Sequence, residues 1–226
     1  MPDYRFPLAT LAIMAKAPIP GEVKTRLIPA IGAETAARLH TALLRKTGHE
    51  MLQANLCPVQ LWCSPDTGHP EFVGLELLGA VLRTQCLGDL GARMAYAAHE
   101  SLGEVNQVII IGTDCPALDP GYVESAIIAL MNGNDAVVGP AEDGGYCLIG
   151  LNRVDDELFR NMPWGGERVL KETRQRLNKL RWQWSELSPL WDVDRPDDLV
   201  RLESLGEWQE KLLRPYPDPA RLLRPQ

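Results

Sequence analysis

The sequence predicts an α/β fold: a mainly parallel sheet covered on both faces by helices. Three observations carry that reading. Short apolar runs of strand length alternate with longer stretches of helical period, the βαβα pattern of a parallel sheet. The strand-like runs end in Gly, Pro, Ser or Asp, as in Ile111-Gly112-Thr113-Asp114-Cys115-Pro116. At 226 residues, with 45% hydrophobic and 23% charged side chains, the chain has the length and composition of one generous globular domain.

Taken in order, residues 8–15 are short and apolar, a buried first strand. Residues 33–54 place Ala37, Leu39, Leu43, Leu44, Met51 and Leu52 at helical spacing. Residues 59–63 form a second strand, ended by Ser64-Pro65-Asp66. A helix at 90–102 precedes the run 107–111, the third clear strand, and a helix at 120–131 leads to a strand at 135–138. Residues 146–151 form a strand just after a glycine pair, and the tight Asp143-Gly144 turn suggests one antiparallel insertion. Residues 166–180 read as a charged amphipathic helix, and 181–185 as a strand with Trp182 and Trp184 on one face. Residues 196–205 open with a proline and two acids, a helix start. A single domain is expected over 1–206, followed by a Pro- and Arg-bearing tail at 207–226.

Composition excludes several classes. The formal net charge of -7 argues against a nucleic-acid binder, which would carry a basic face. The apolar run at 6–15 is broken by Pro7 and Thr10, too short to span a bilayer and without a cleavage signal. A cytoplasmic protein with no membrane partner is therefore expected. Five cysteines form no C-x-x-C pair and are read as small buried side chains, although Cys115 stands beside Asp114. The four histidines show no zinc-type spacing.

Five segments carry candidate chemistry. The loop after the first strand holds Lys16, Lys24 and Arg26, cations suited to phosphate oxygens, and Gly21, which allows close backbone approach. Its structural alternative is a solvated basic loop, because Pro18 and Val23 stand where a Walker A loop needs glycine. Asp114 follows the 107–111 strand and suits either a divalent cation or a turn cap. Asp143, Gly144 and Gly145 are a hairpin turn or a place where a ligand's hydroxyls meet a carboxylate. Asp197 and Asp198 fit a helix N-terminus, but Asp192 precedes it and is the better second metal carboxylate. Gln85, Gly88 and Arg93 offer base- and phosphate-binding groups, with Asp89 as a helix N-cap. The Lys16–Arg26 loop, Asp114 and Asp192 each follow a predicted strand. In a parallel sheet those ends share one rim, where ligands bind.

These motifs, in this order, resemble the nucleotide-diphospho-sugar transferase superfamily of GT-A fold. Within it the chain is most similar to the bacterial glycosyltransferase family of rSAM/selenodomain-associated transferase 1 type. The resemblance covers roughly residues 8–205. It rests on Lys16 with Gly21-x-x-Lys24-Thr25-Arg26-Leu27, Gln85-x-x-Gly88-Asp89-Leu90-Gly91, Gly112-Thr113-Asp114-Cys115-Pro116, Asp143-Gly144-Gly145-Tyr146 and Asp192-Val193-Asp194. It implies a Rossmann-like three-layer α/β/α sandwich with a mostly parallel sheet and one antiparallel strand. It also implies Mg²⁺ or Mn²⁺ as cofactor, Asp114 and Asp192 as metal ligands, and Lys24 and Arg26 at the phosphates. Arg195 stands where many members have a helix-capping threonine, and Asp114-x-Pro116 replaces the Asp-x-Asp usual in sugar transfer.

The expected activity is metal-dependent transfer from a nucleotide-activated donor to a small-molecule acceptor. A nucleotide-diphospho-sugar donor comes first, with Lys24 and Asp114 as the catalytic pair. The alternatives are nucleotidyl transfer with release of pyrophosphate, and a non-catalytic nucleotide-binding module.

Overall fold

A computed structural model describes residues 3–204. The tail read at 207–226 lies outside the described residues. The strands are β1 (Ala9–Lys16), β2 (Val59–Ser64), β3 (Val81–Thr84), β4 (Gln107–Ile111), β5 (Ala136–Pro140), β6 (Tyr146–Leu151) and β7 (Trp184–Glu186). The helices are α1 (Ile28–Ile31), α2 (Ala33–Ala54), α3 (Pro70–Leu77), α4 (Leu90–Leu102), α5 (Pro120–Met131), α6 (Val169–Lys179) and α7 (Pro196–Ser204). No helix of the described residues is long and apolar enough to cross a membrane.

The strands form one sheet in the order β3-β2-β1-β4-β6-β5-β7. All run parallel except β6, which pairs antiparallel with both β4 and β5. The Asp143-Gly144 turn therefore does reverse the chain into a single antiparallel strand. β4 is buried over its whole length, with Ile109, Ile110 and Ile111 each at most 2% exposed. Burying a side chain of that size contributes about 1.5–3 kcal/mol, so the strand bearing Asp114 at its tip is firmly seated.

Two apolar layers cover the sheet. On one face Leu11, Ile13, Leu44, Phe72, Ile109 and Ile127 pack together. On the other, Ala12, Met94, Ile110, Ile149, Leu170 and Leu177 do so. A third cluster joins Leu27, Leu39, Leu43, Trp191, Val193 and Leu202. It welds the end of the basic loop to the segment after β7, and so fixes two of the candidate motifs against each other.

Four elements lie outside the sequence reading: β3, α3, the single turn α1 and a 3-10 turn at Asp156–Leu158. β3 is a four-residue edge strand with no fully buried residue, too short for a period to show. In α3 the apolar side chains do not line one side, and Val73 and Leu77 are exposed. α6 begins at Val169, three residues later than the sequence reading, and β7 begins only at Trp184.

Candidate functional site

β1, β4 and β5 end at the same rim of the sheet, and the antiparallel β6 begins there. The basic loop leaves β1 at that rim. Its backbone is held by Ala17 N donating to Ser64 O (2.8 Å) and Glu22 N to Ile19 O (3.0 Å). Gly21 has φ +87°, a left-handed turn that glycine adopts without strain. Lys24 has φ +48° although it is not glycine, an unfavourable conformation that its surroundings must impose. Those surroundings are specific: the Lys24 Nζ donates to Val193 O at 2.7 Å and pairs with Asp114 Oδ1 at 2.5 Å. The lysine side chain is 3% exposed and the aspartate side chain 52%.

Asp114 thus looks into an open space from a firm base. Val193 N donates to its carbonyl at 2.9 Å, tying β4's tip to the late acidic motif. Burial pushes the Asp114 carboxyl up, but the Lys24 charge and hydrogen bond and the nearby His40 outweigh it and hold the group below the usual aspartate range. His40, on the buried side of α2, donates Nε2–H to Lys16 O at 2.9 Å, and its Nδ1 is 3.9 Å from Asp114 Oδ1. Burial lowers the ring's pKa, against the pull of Asp114, and so favours the neutral ring.

Asp192 has a different setting. Its carboxyl is pushed up to about 6, first by burial and then by the charge of Asp143, with Asp194 and Asp114 adding to it. Asp194 pairs with Arg26, whose other guanidinium nitrogen donates to Gly165 O at 3.4 Å. Arg26 therefore straps the basic loop to two further segments. Asp198 accepts from Arg195 N (2.6 Å) and Asp194 N (2.9 Å). It reaches back from the first turn of α7 to the N–H groups just before the helix, as the N3 acid of a capping box does.

Lys16, Lys24, Arg26, Asp114, Asp143 and Asp192 line one pocket of about 570 Å³, and Gly145 lines it too. Gly144 faces a neighbouring pocket of about 460 Å³ that shares Asp143 and Asp192. The reason for glycine at 144 is packing. A Cβ there would lie 2.3 Å from Glu167 O, and Gly144 O accepts from Leu170 N at 2.9 Å. The space beside its Cα is filled by the backbone of Glu167, while Gly144 still borders the 460 Å³ pocket. Asp143 makes a local turn, accepting from Gly145 N at 2.8 Å.

Gln85, Gly88 and Arg93 are not among the residues lining the 570 Å³ pocket. The Gln85 amide donates to Ala15 O (3.1 Å) and Trp62 O (2.7 Å), bracing the tips of β1 and β2. Arg93 Nε donates to Gly88 O at 3.0 Å. Asp89 accepts from Ala92 N at 2.8 Å, the helix cap that its sequence position suggests.

The pocket also has residues the sequence reading passed over. His40 is one; its signal was a polar ring on a buried stripe of Ala36, Leu39, Leu43 and Leu44 in the helix that follows the basic loop. Met14, Leu90, Met94, Tyr146, Trp164 and Val169 form an apolar side. Tyr146 and Trp164 meet edge to face, with centroids 6.2 Å apart. Cys115 and Cys147 are both at the pocket, where the Cys147 thiol donates to Gly139 O at 3.4 Å, while the buried thiols of Cys57 and Cys63 are pushed up to about 12.

Among the described residues no group of three or more His, Cys, Asp or Glu side chains is arranged to hold a metal ion. The donor set still fits a hard divalent cation of one kind. Mg²⁺ takes one or two carboxylates and completes its shell with water and substrate phosphates. Asp114 and Asp192 supply two such carboxylates, and of the burial and neighbouring carboxylates that raise Asp192, a cation would offset the latter.

Comparison with known proteins follows the same lines. A family model described as "Uncharacterized protein conserved in bacteria (DUF2064)" matches residues 44–166, more than half of the chain. None of the curated proteins compared with the chain matches it. A protein from Desulfovibrio desulfuricans G20, provisionally named a nucleotide-diphospho-sugar transferase, superposes with a TM-score of 0.80 at 28% identity, covering 89% of this chain and 88% of that one. A cytidylyltransferase from Leptospira borgpetersenii serovar Hardjo-bovis has a TM-score of 0.56 at 12% identity, covering 89% and 87%. Glucosyl-3-phosphoglycerate synthase from Mycobacterium tuberculosis, solved with Mn²⁺, UDP and phosphoglyceric acid, has a TM-score of 0.51 at 11% identity, covering 93% and 80%. The last two share the fold: the sheet and its helices are those of GT-A-like sugar transferases and cytidylyltransferases.

Proposed function

The chain belongs to the DUF2064 family, and from the geometry of its rim we propose a metal-dependent transferase that uses a nucleotide-activated donor. The observation that carries this is the juxtaposition of three cations with Asp114 and Asp192 around one pocket. A nucleotide's phosphates and a divalent cation have opposite charges, and such a rim suits both together. The one-domain reading of residues 1–206 is part of the proposal.

Within that class we favour glycosyl transfer, because the neighbour at 28% identity bears the name of a nucleotide-diphospho-sugar transferase. Asp114 and Asp192 would hold Mg²⁺ or Mn²⁺, which would neutralise the nucleoside diphosphate as it leaves. Lys24, already fixed by Val193 O, would meet the charge that develops on the departing phosphates, and Lys16 and Arg26 would steady them. Asp143, at the mouth of both pockets, would orient a sugar or acceptor hydroxyl. The apolar side around Tyr146 and Trp164 would exclude water from the reacting centre.

Nucleotidyl transfer is the second reading, favoured by the loop: Lys16, Lys24 and Arg26 together suit a triphosphate as well as a diphosphate. The products separate the two. Incubation with nucleotide sugars or with nucleoside triphosphates and candidate acceptors, followed by ³¹P NMR, should yield a free nucleoside diphosphate. Pyrophosphate would overturn glycosyl transfer. Nucleotide binding without turnover of any donor would leave only a binding module.

A further inference from the structure

Among the described residues three buried side-chain polar atoms have no hydrogen-bond partner: His40 Nδ1, Arg83 Nε and Trp164 Nε1. Only His40 Nδ1 lies against a candidate metal carboxylate. The residue is 6% exposed, and leaving a buried polar atom unsatisfied is costly. A carbonyl only accepts, so the Nε2 that meets Lys16 O carries the hydrogen, and a neutral ring leaves Nδ1 as an acceptor. That acceptor points at another: Asp114 Oδ1, 3.9 Å away. The donor serving this corner is the Lys24 ammonium, 2.5 Å from the same oxygen.

The arrangement has a consequence once Asp114 is needed elsewhere. Lys24 holds Asp114 Oδ1, and a cation drawn to the same carboxylate would repel the ammonium. If the carboxylate turns to a cation, the ammonium keeps Val193 O but loses its second partner, in a place where its side chain is 3% exposed. A stranded buried ammonium opposes the exchange. His40 Nδ1 is an acceptor without a partner that faces the same Asp114 oxygen.

We propose that His40 is a positioning residue: its Nδ1 accepts a hydrogen bond from Lys24 when Asp114 takes up a divalent cation, and so releases Asp114 from its internal ion pair. The proposal rests on the reading of Asp114 as a metal ligand. It assigns a role to a helix residue that touches neither the cation nor the substrate.

The test uses Mn²⁺ alone as probe, read by loss of the free-ion EPR signal, on folded protein verified by its Tm. Gln at 40 can keep the bond to Lys16 O but places no group at Nδ1; Asn keeps a group at Nδ1 and gives up Lys16 O. His40→Asn should bind Mn²⁺ within about twofold of wild type, and His40→Gln about tenfold more weakly, the low end for losing a partner of a metal ligand. His40→Gln binding as tightly as His40→Asn, or more tightly, would overturn the proposal, since that order belongs to a ring that merely holds the loop. In a Lys24→Met background, where no ammonium competes, the His40→Gln effect should vanish. A persisting tenfold loss would also overturn it. Wild type that leaves the Mn²⁺ signal unchanged would remove the metal reading itself, and this proposal with it.

Discussion

Asp114 and Asp192 stand on the same rim, yet their settings are opposite. Asp114 has a dedicated cation in Lys24, and its carboxyl is held low. Asp192 is half-buried among Asp143, Asp194 and Asp114, and its carboxyl is pushed up to about 6. One carboxylate is stabilised by the chain itself; the other carries a repulsion that an external cation would relieve. On the proposed function Asp114 would serve both the fold and the site, whereas Asp192 would serve the site at the expense of the fold. Substitutions at the two positions should separate those effects.

The largest effect is expected at Asp114. Asp114→Asn should lower transferase turnover by about 100-fold or more, the scale for losing a preorganised charge at the reacting centre. It should also destabilise the protein by roughly 2 kcal/mol in denaturant titrations. Lys24 would lose its counter-charge, a cost reduced because Asp114 is half exposed and Val193 O remains. Asp192→Asn should weaken cation-dependent nucleotide binding about tenfold or more in calorimetry, yet leave Tm equal to or above wild type. Equal losses of stability at both positions would erase the distinction.

The difference also has a pH signature. Because folding raises the Asp192 pKa, its protonated form contributes stability that is fully present below the ordinary aspartate range and is lost as pH rises through about 6. Cation uptake runs the other way, since it needs the carboxylate. The Tm gain from Mn²⁺ plus nucleotide should therefore grow between pH 5.5 and 7.5. In Asp192→Asn that growth should flatten, and an unchanged pH profile there would assign the titration to another group.

Smaller effects belong to the periphery. Arg26→Lys keeps a charge but loses the fork that reaches both Asp194 and Gly165 O. It should weaken nucleotide binding by about tenfold, or 1.4 kcal/mol, without changing which cation is preferred. Glu142→Gln breaks only an exposed pair with Arg201 and should leave Tm and nucleotide affinity roughly unchanged.

Much of this scaffold was legible in the sequence. The helix at 33–54 and the strands at 107–111 and 146–151 have the bounds that their periodicity predicts, because each buries a continuous apolar stripe or run. β3 escaped because a four-residue edge strand buries nothing completely. The shared rim was legible too, since strand polarity alone brings Lys16, Lys24, Asp114 and Asp192 to one edge. What a linear pattern does not carry is how groups are spent once they meet. Gln85 looks free in sequence but braces two strand tips, and Gly144 borders a pocket while Glu167 packs where its Cβ would be. His40 enters through tertiary packing of α2 under the basic loop, a contact between residues that no motif spacing connects.

The most direct measurement is the Tm of wild type and Asp114→Asn against a panel of nucleoside diphosphates, triphosphates and nucleotide sugars, each with and without Mn²⁺. Wild type should respond to at least one nucleotide only when Mn²⁺ is present, by about 2.7 kcal/mol at a hundredfold excess over Kd, and Asp114→Asn should not respond. A nucleotide that stabilises both proteins equally, or one that needs no cation, would contradict a metal-bound nucleotide at this rim.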